Sequence, residues 1–80
     1  MKLSSLQKKL SKIENVAIST HGNGYNMYLC FSIKGKRFEA GYTEGIDKVD
    51  SFSYAYDNGT NELTRRWFYK FTEVLEYANR

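Results

Sequence analysis

The sequence predicts an α+β fold of two layers. A four-stranded antiparallel meander is covered on one face by an N-terminal and a C-terminal helix, in the order α-β-β-β-β-α. Three observations carry this. Apolar residues near the start recur at helical spacing, the middle of the chain alternates apolar and polar residues with period two, and the closing segment returns to helical spacing. Glycine and asparagine punctuate the alternating runs, and short turns make consecutive strands antiparallel neighbours. With 80 residues the chain makes one domain, residues 1–80.

The first helix is read from Ser4 and Gln7, which match a capping box, and from Leu6, Leu10 and Ile13, which fall on one stripe of a lysine-rich cylinder. Asn15 is expected to end it. A helix of about three turns with one thin stripe needs a surface to lie on. Val16–Thr20 supplies a first short strand, with His21-Gly22-Asn23-Gly24 as its hairpin turn. The second strand is the clearest: Tyr25, Met27, Leu29, Phe31 and Ile33 alternate with Asn26, Tyr28, Cys30 and Ser32. Lys34-Gly35-Lys36 turns the chain, and Phe38, Ala40 and Tyr42 then alternate with Arg37, Glu39, Gly41 and Thr43. In the fourth strand Phe52, Tyr54 and Tyr56 alternate with Ser51, Ser53 and Ala55, and Asp57-Asn58-Gly59 stops it. The last element is expected to be a helix over 62–78, capped by Thr60 or Asn61, with Leu63, Trp67, Phe71, Val74, Leu75 and Ala78 on one broad face. The expected core is Leu6, Leu10, Ile13, Leu29, Phe31, Phe38, Trp67, Phe71 and Val74.

Composition bounds what this domain can be. Thirteen residues are Phe, Trp or Tyr, enough large rings to build a core in a short chain. A single cysteine, Cys30, forms no internal disulfide, which suits a reducing cytoplasm. The N-terminal residues include no apolar run of membrane-spanning or signal length, so no membrane partner is expected. Asn58-Gly59-Thr60 matches a glycosylation sequon and reads as a turn. The net charge of +3 hides an asymmetry: residues 1–37 carry seven Lys/Arg against one acid, and residues 38–64 one Lys against six acids. Such a distribution orients a partner electrostatically, and it is equally what solvated faces produce.

Catalytic chemistry finds little support. With His21 in a hairpin turn and Thr20 opposite Tyr25, Cys30 lies about five residues away at roughly 3.3 Å each, out of reach for a Cys–His dyad. The acids Glu44, Asp47 and Asp50 follow no calcium-loop pattern, Cys/His ligands are too few for a metal, and no glycine-rich phosphate loop precedes a helix. The chain therefore reads as a non-enzyme with no catalytic residue, no metal site and no cofactor.

Two binding surfaces remain. The sheet face turned away from the helices is flat and polar. There Tyr28 stands ready to stack on a base, and Lys34, Lys36 and Arg37 are placed to meet phosphate, against an opposing charge at Glu39. The second surface is the closing helix, where Arg65, Arg66, Phe68 and Tyr69 crowd beside the buried stripe. Arg, Trp and Tyr are the residue types enriched among interface anchors.

In size and plan the chain resembles small phage-encoded proteins that inhibit host defence, anti-CRISPR proteins among them. The likeness rests on length, a Tyr/Asn/Lys-rich composition and the lack of a catalytic motif. It implies a cytoplasmic inhibitor that occludes a site on a host protein or complex, with nucleic acid or a second copy of the chain as the other partners weighed. A basic chain does not copy the charge of DNA.

Overall fold

The computed structural model describes residues 1–13, 16–57 and 63–80. Two helices and five strands follow in chain order: α1 (Leu3–Ser11), β1 (Ile18–Gly22), β2 (Asn26–Ile33), β3 (Lys36–Thr43), β4 (Val49–Asp57), β5 (Leu63–Phe68) and α2 (Phe71–Ala78). The strands form one antiparallel sheet in the order β1-β2-β3-β4-β5, a simple meander. The α+β class and the two terminal helices stand as expected, and the sheet has one strand more. The expected helix end at Asn15, the turn at Asn58-Gly59 with its sequon, and the cap at Thr60 or Asn61 lie outside the described residues.

The extra strand comes out of the segment read as one long helix over 62–78. Leu63, Trp67 and Phe71 match a helical stripe, and Arg65-Arg66-Trp67-Phe68 carries no apolar/polar alternation to mark a strand. Pairing with β4 provides backbone hydrogen bonds and sends Phe68 to the helix-bearing side. Helix α2 therefore starts only at Phe71, where the Glu73 carboxylate accepts the Lys70 N–H at 3.1 Å. One consequence is a correction to the expected core: Trp67 is 57% exposed, because it stands on the opposite face from Phe68.

Within β2 and β3 the faces are as expected. Leu29, Phe31 and Ile33 on β2, and Phe38 and Ala40 on β3, point to one side and are buried. Both helices lie on that side: Leu6 and Leu10 from α1 and Phe71, Val74 and Ala78 from α2 join Phe52 and Phe68 in one core, with Ile13 packed against it. Phe38 is its aromatic centre. It stacks on Phe31 at 5.7 Å and meets Phe68 and Tyr77 edge-on at 6.3 and 6.5 Å, geometries favoured by ring quadrupoles.

The capping of α1 differs from the expected box at Ser4. The helix starts at Leu3, and its cap comes from the loop between β3 and β4. Asp47 accepts the Ser4 N–H and the Ser4 hydroxyl, each at 2.7 Å, and the Val49 N–H donates to the Met1 carbonyl at 2.9 Å. The Ser4 hydroxyl, then the Ser4 N–H, holds the Asp47 carboxyl below its ordinary value of 3.8.

The first hairpin also departs from expectation. Its turn is Asn23-Gly24-Tyr25, closed by the Asn23 N–H donating to the Asn26 carbonyl and the Asn26 N–H donating to Asn23 Oδ1. His21 and Gly22 thus belong to β1, and Thr20 pairs with Leu29 where Tyr25 was expected. The β2–β3 hairpin turns in two residues, Lys34 and Gly35, both with positive φ, as a type I′ turn requires.

Candidate functional site: the open face of the sheet

The sheet face without helices presents a continuous group of functional side chains. Strand alternation places Ser19 and His21 of β1, Tyr28, Cys30 and Ser32 of β2, and Arg37 and Glu39 of β3 there. Ser51 and Ser53 of β4 and Arg65 and Trp67 of β5 complete the face. Large rings stand on β2 and β5, while β3 and β4 carry Gly41 and Ser51 between them. Three strand spacings separate those rings at the backbone, about 14 Å. The result is a groove of about 180 Å³ with Tyr28 and Trp67 among its walls. Gly41 forms part of its floor: a Cβ there would touch the Tyr28 ring at 3.9 Å, so any larger side chain would occupy the groove.

Beside the groove the polar groups are joined. The His21 ring stacks on Tyr28 with centroids 5.3 Å apart, a pairing of directly opposite residues. Glu39 lies between two cations or donors: its Oε1 is 3.9 Å from His21 Nε2, and its Oε2 is 3.4 Å from Arg65 Nη1. Arg65 also donates to the buried Ser53 hydroxyl at 3.1 Å, which fixes the guanidinium against the sheet.

The residues proposed from sequence for nucleic acid are divided by the fold. Tyr28 and Arg37 are on the open face, but Lys34 donates to Asn79 and Lys36 donates to the Arg80 carbonyl at 3.3 Å, both at the C-terminal end of α2. Lys36 also lies over the Tyr77 ring at 6.0 Å. These two lysines turn toward the helix layer, because Ile33, the partner of Lys36, is a core position.

The residues proposed for protein binding divide as well. Phe68 is buried at 4% exposure and belongs to the core, a correction that follows from strand periodicity. Arg66 shares its side of the sheet and lies over the Phe68 and Tyr77 rings at 5.7 and 5.0 Å. Arg65 reaches the open face. Tyr69, just after β5, is 80% exposed. Trp67 was expected in the core and His21 in a turn, and no local signal places either on the open face: Arg65 and Trp67 alternate with Arg66 and Phe68, one cation and one ring to each side.

The separation expected between His21 and Cys30 does not hold. With Ser19 opposite Cys30 and Tyr28 opposite His21, the two are diagonal neighbours on one face, and their ligating atoms lie within 4.8 Å. The distance argument against a Cys–His pair therefore falls, although Cys30 is only 3% exposed. Among the described residues no helix is long and apolar enough to cross a membrane. No family model, curated protein or solved structure matches the chain.

Proposed function

We propose that this is a non-enzymatic binding protein whose open sheet face seats on a protein partner. One observation carries the reading: Trp67 and Tyr28, 57% and 38% exposed, flank a groove on a face that the protein's own helices leave uncovered. Exposed large rings over a shaped depression are the anchors typical of protein interfaces, and Arg65 stands beside them. The face mixes charges, with Arg37 and Arg65 against Glu39 and Asp50, which suits a protein surface of mixed sign better than a polyanion. Cys30 is only 3% exposed, which disfavours its use as a free nucleophile and supports the non-enzymatic part. Occlusion of a site on a host protein or complex, as an inhibitor does, is the form that the likeness to small phage proteins implies.

A second reading rests on the same two rings. Single-stranded nucleic acid stacks its bases on exposed aromatics of open sheets. The diversion of Lys34 and Lys36 to the helix layer weighs against it.

The experiment is affinity capture from a bacterial lysate with nuclease treatment, comparing the wild type with Trp67→Ala, Tyr28→Ala and Arg66→Ala. A protein retained after nuclease, lost with Trp67→Ala and Tyr28→Ala and kept with Arg66→Ala, is the expected result. Capture that vanishes with nuclease, together with direct oligonucleotide retention at about 50 mM salt, would replace the proposal with the nucleic-acid reading.

A further inference from the structure

We infer that His21, Cys30 and Glu39 form a site for a tetrahedral divalent cation, with zinc the ion their donor set suits. The three residues come from three adjacent strands, β1, β2 and β3. Cys30 and Glu39 are directly opposite each other, and His21 is the diagonal neighbour of Cys30. One imidazole nitrogen, one sulfur and one carboxylate oxygen all lie within 4.8 Å of one another. This inference stands on its own geometry and does not depend on the partner proposed above.

The donor chemistry is selective. Imidazole, thiolate and carboxylate are the zinc ligands of proteins, with bonds of about 2.0–2.3 Å, and a tetrahedron with those bonds separates its ligand atoms by roughly 3.3–3.6 Å. The 3.9 Å between His21 Nε2 and Glu39 Oε1 is near that value already. Closing the rest, from separations of up to 4.8 Å, takes a movement of up to about 1.5 Å, to which the 53% exposed His21 side chain contributes. Hard cations that demand six or more oxygens are excluded by the sulfur.

Neighbouring groups hold the ligands in place. Tyr28 stacks on the imidazole and sets its plane. Arg65 takes Glu39 Oε2, leaving Oε1 turned toward His21, and Ser53 in turn holds Arg65. Such outer contacts orient ligands and tune a metal site. The Cys30 sulfur lies in the same cluster as the imidazole and the carboxylate, so an ion held between them meets it. Binding displaces the thiol proton to solvent, and a thiolate and a carboxylate then balance the charge of the ion. Three protein ligands leave the fourth position open toward the solvent side of the sheet, for water or for a donor from outside.

The test uses the whole chain, reduced and stripped with a chelator. Cobalt(II) is titrated in as a spectroscopic stand-in, then displaced with zinc. The expected result is a thiolate-to-cobalt charge-transfer band in the near ultraviolet that saturates at one ion per chain and is abolished by zinc. Because Cys30→Ser alters a buried position, the deciding variants are His21→Ala and Glu39→Gln, with folding confirmed by circular dichroism. Each is expected to raise the cobalt dissociation constant about tenfold or more. No band at saturating cobalt overturns the site. A band untouched by either variant means binding by the thiol alone and overturns it as well, and a band sensitive to only one variant overturns the three-ligand set.

Discussion

Replacing Trp67 with alanine separates a strand from a helix at residues 63–68. On a helix sharing its stripe with Phe71 and Val74, Trp67 would be core, and truncation would cost about 3–5 kcal/mol. On β5 it faces the open side with 57% of its surface exposed, so about two-fifths is covered. A large ring buries roughly 150–250 Å² when fully enclosed, so some 60–100 Å² is at stake here. At about 25 cal/mol per Å² this comes to roughly 1.5–2.5 kcal/mol, an upper bound because the unfolded chain covers part of that area too. No cavity penalty is added, since the groove is open to water. Urea unfolding followed by far-ultraviolet circular dichroism measures the difference. Trp67 is the only tryptophan, so the fluorescence of the wild type adds an independent reading. Its native emission is expected to be red-shifted and readily quenched by acrylamide, moving little on unfolding. A loss above 3 kcal/mol, or a blue-shifted native emission that resists quenching, would refute the strand assignment and remove Trp67 from the binding face.

Phe38→Ala is the contrasting case: fully buried and packed against four other rings, it should cost about 3–5 kcal/mol in the same urea measurement and leave little folded protein. Gly22→Ala is expected to destabilise the first hairpin, because a Cβ there would lie 2.6 Å from Met27 Sδ and 2.9 Å from Met27 Cα; amide exchange across β1 and β2 would report it. Gly41→Val fills the groove between Tyr28 and Trp67, so loss of the captured partner with the melting temperature held within a few degrees is expected. Asp47 supplies acid sensitivity: its carboxyl is lowered in the fold, so its contribution is complete above the ordinary value of 3.8 and is lost as pH falls through the lower native value. Asp47→Asn should therefore flatten the acid limb of the stability profile below about pH 4, read by thermal melts across pH.

Much of this fold is legible locally, and the site much less so. Period two along Asn26–Ile33 and Arg37–Thr43 assigned each side chain to its face, because alternation depends only on the residue's own strand. Tyr25, read with the apolar side, lies instead in the turn and is 71% exposed. The stripe Leu6, Leu10 marked the face of α1 that is buried, by the same local logic at helical spacing. Residues 63–68 read as helix because Leu63 and Trp67 continue to Phe71 at helical spacing and no apolar alternation marks a strand; the vacant edge of β4 decided otherwise by offering backbone partners. The cap on α1 was invisible because its carboxylate comes from Asp47, 43 positions away from Ser4. His21, Cys30 and Glu39 meet only because Asn23-Gly24-Tyr25, and not His21-Gly22-Asn23-Gly24, makes the first turn. That choice sets the β1–β2 register and with it every cross-strand neighbour on the face. Where one period fits clearly, as in β2, β3 and α1, it indicates which side chains are inside, since burial there is a property of one element against the core. Which side chains meet on the surface is a property of register between elements, and only the assembled sheet decides it.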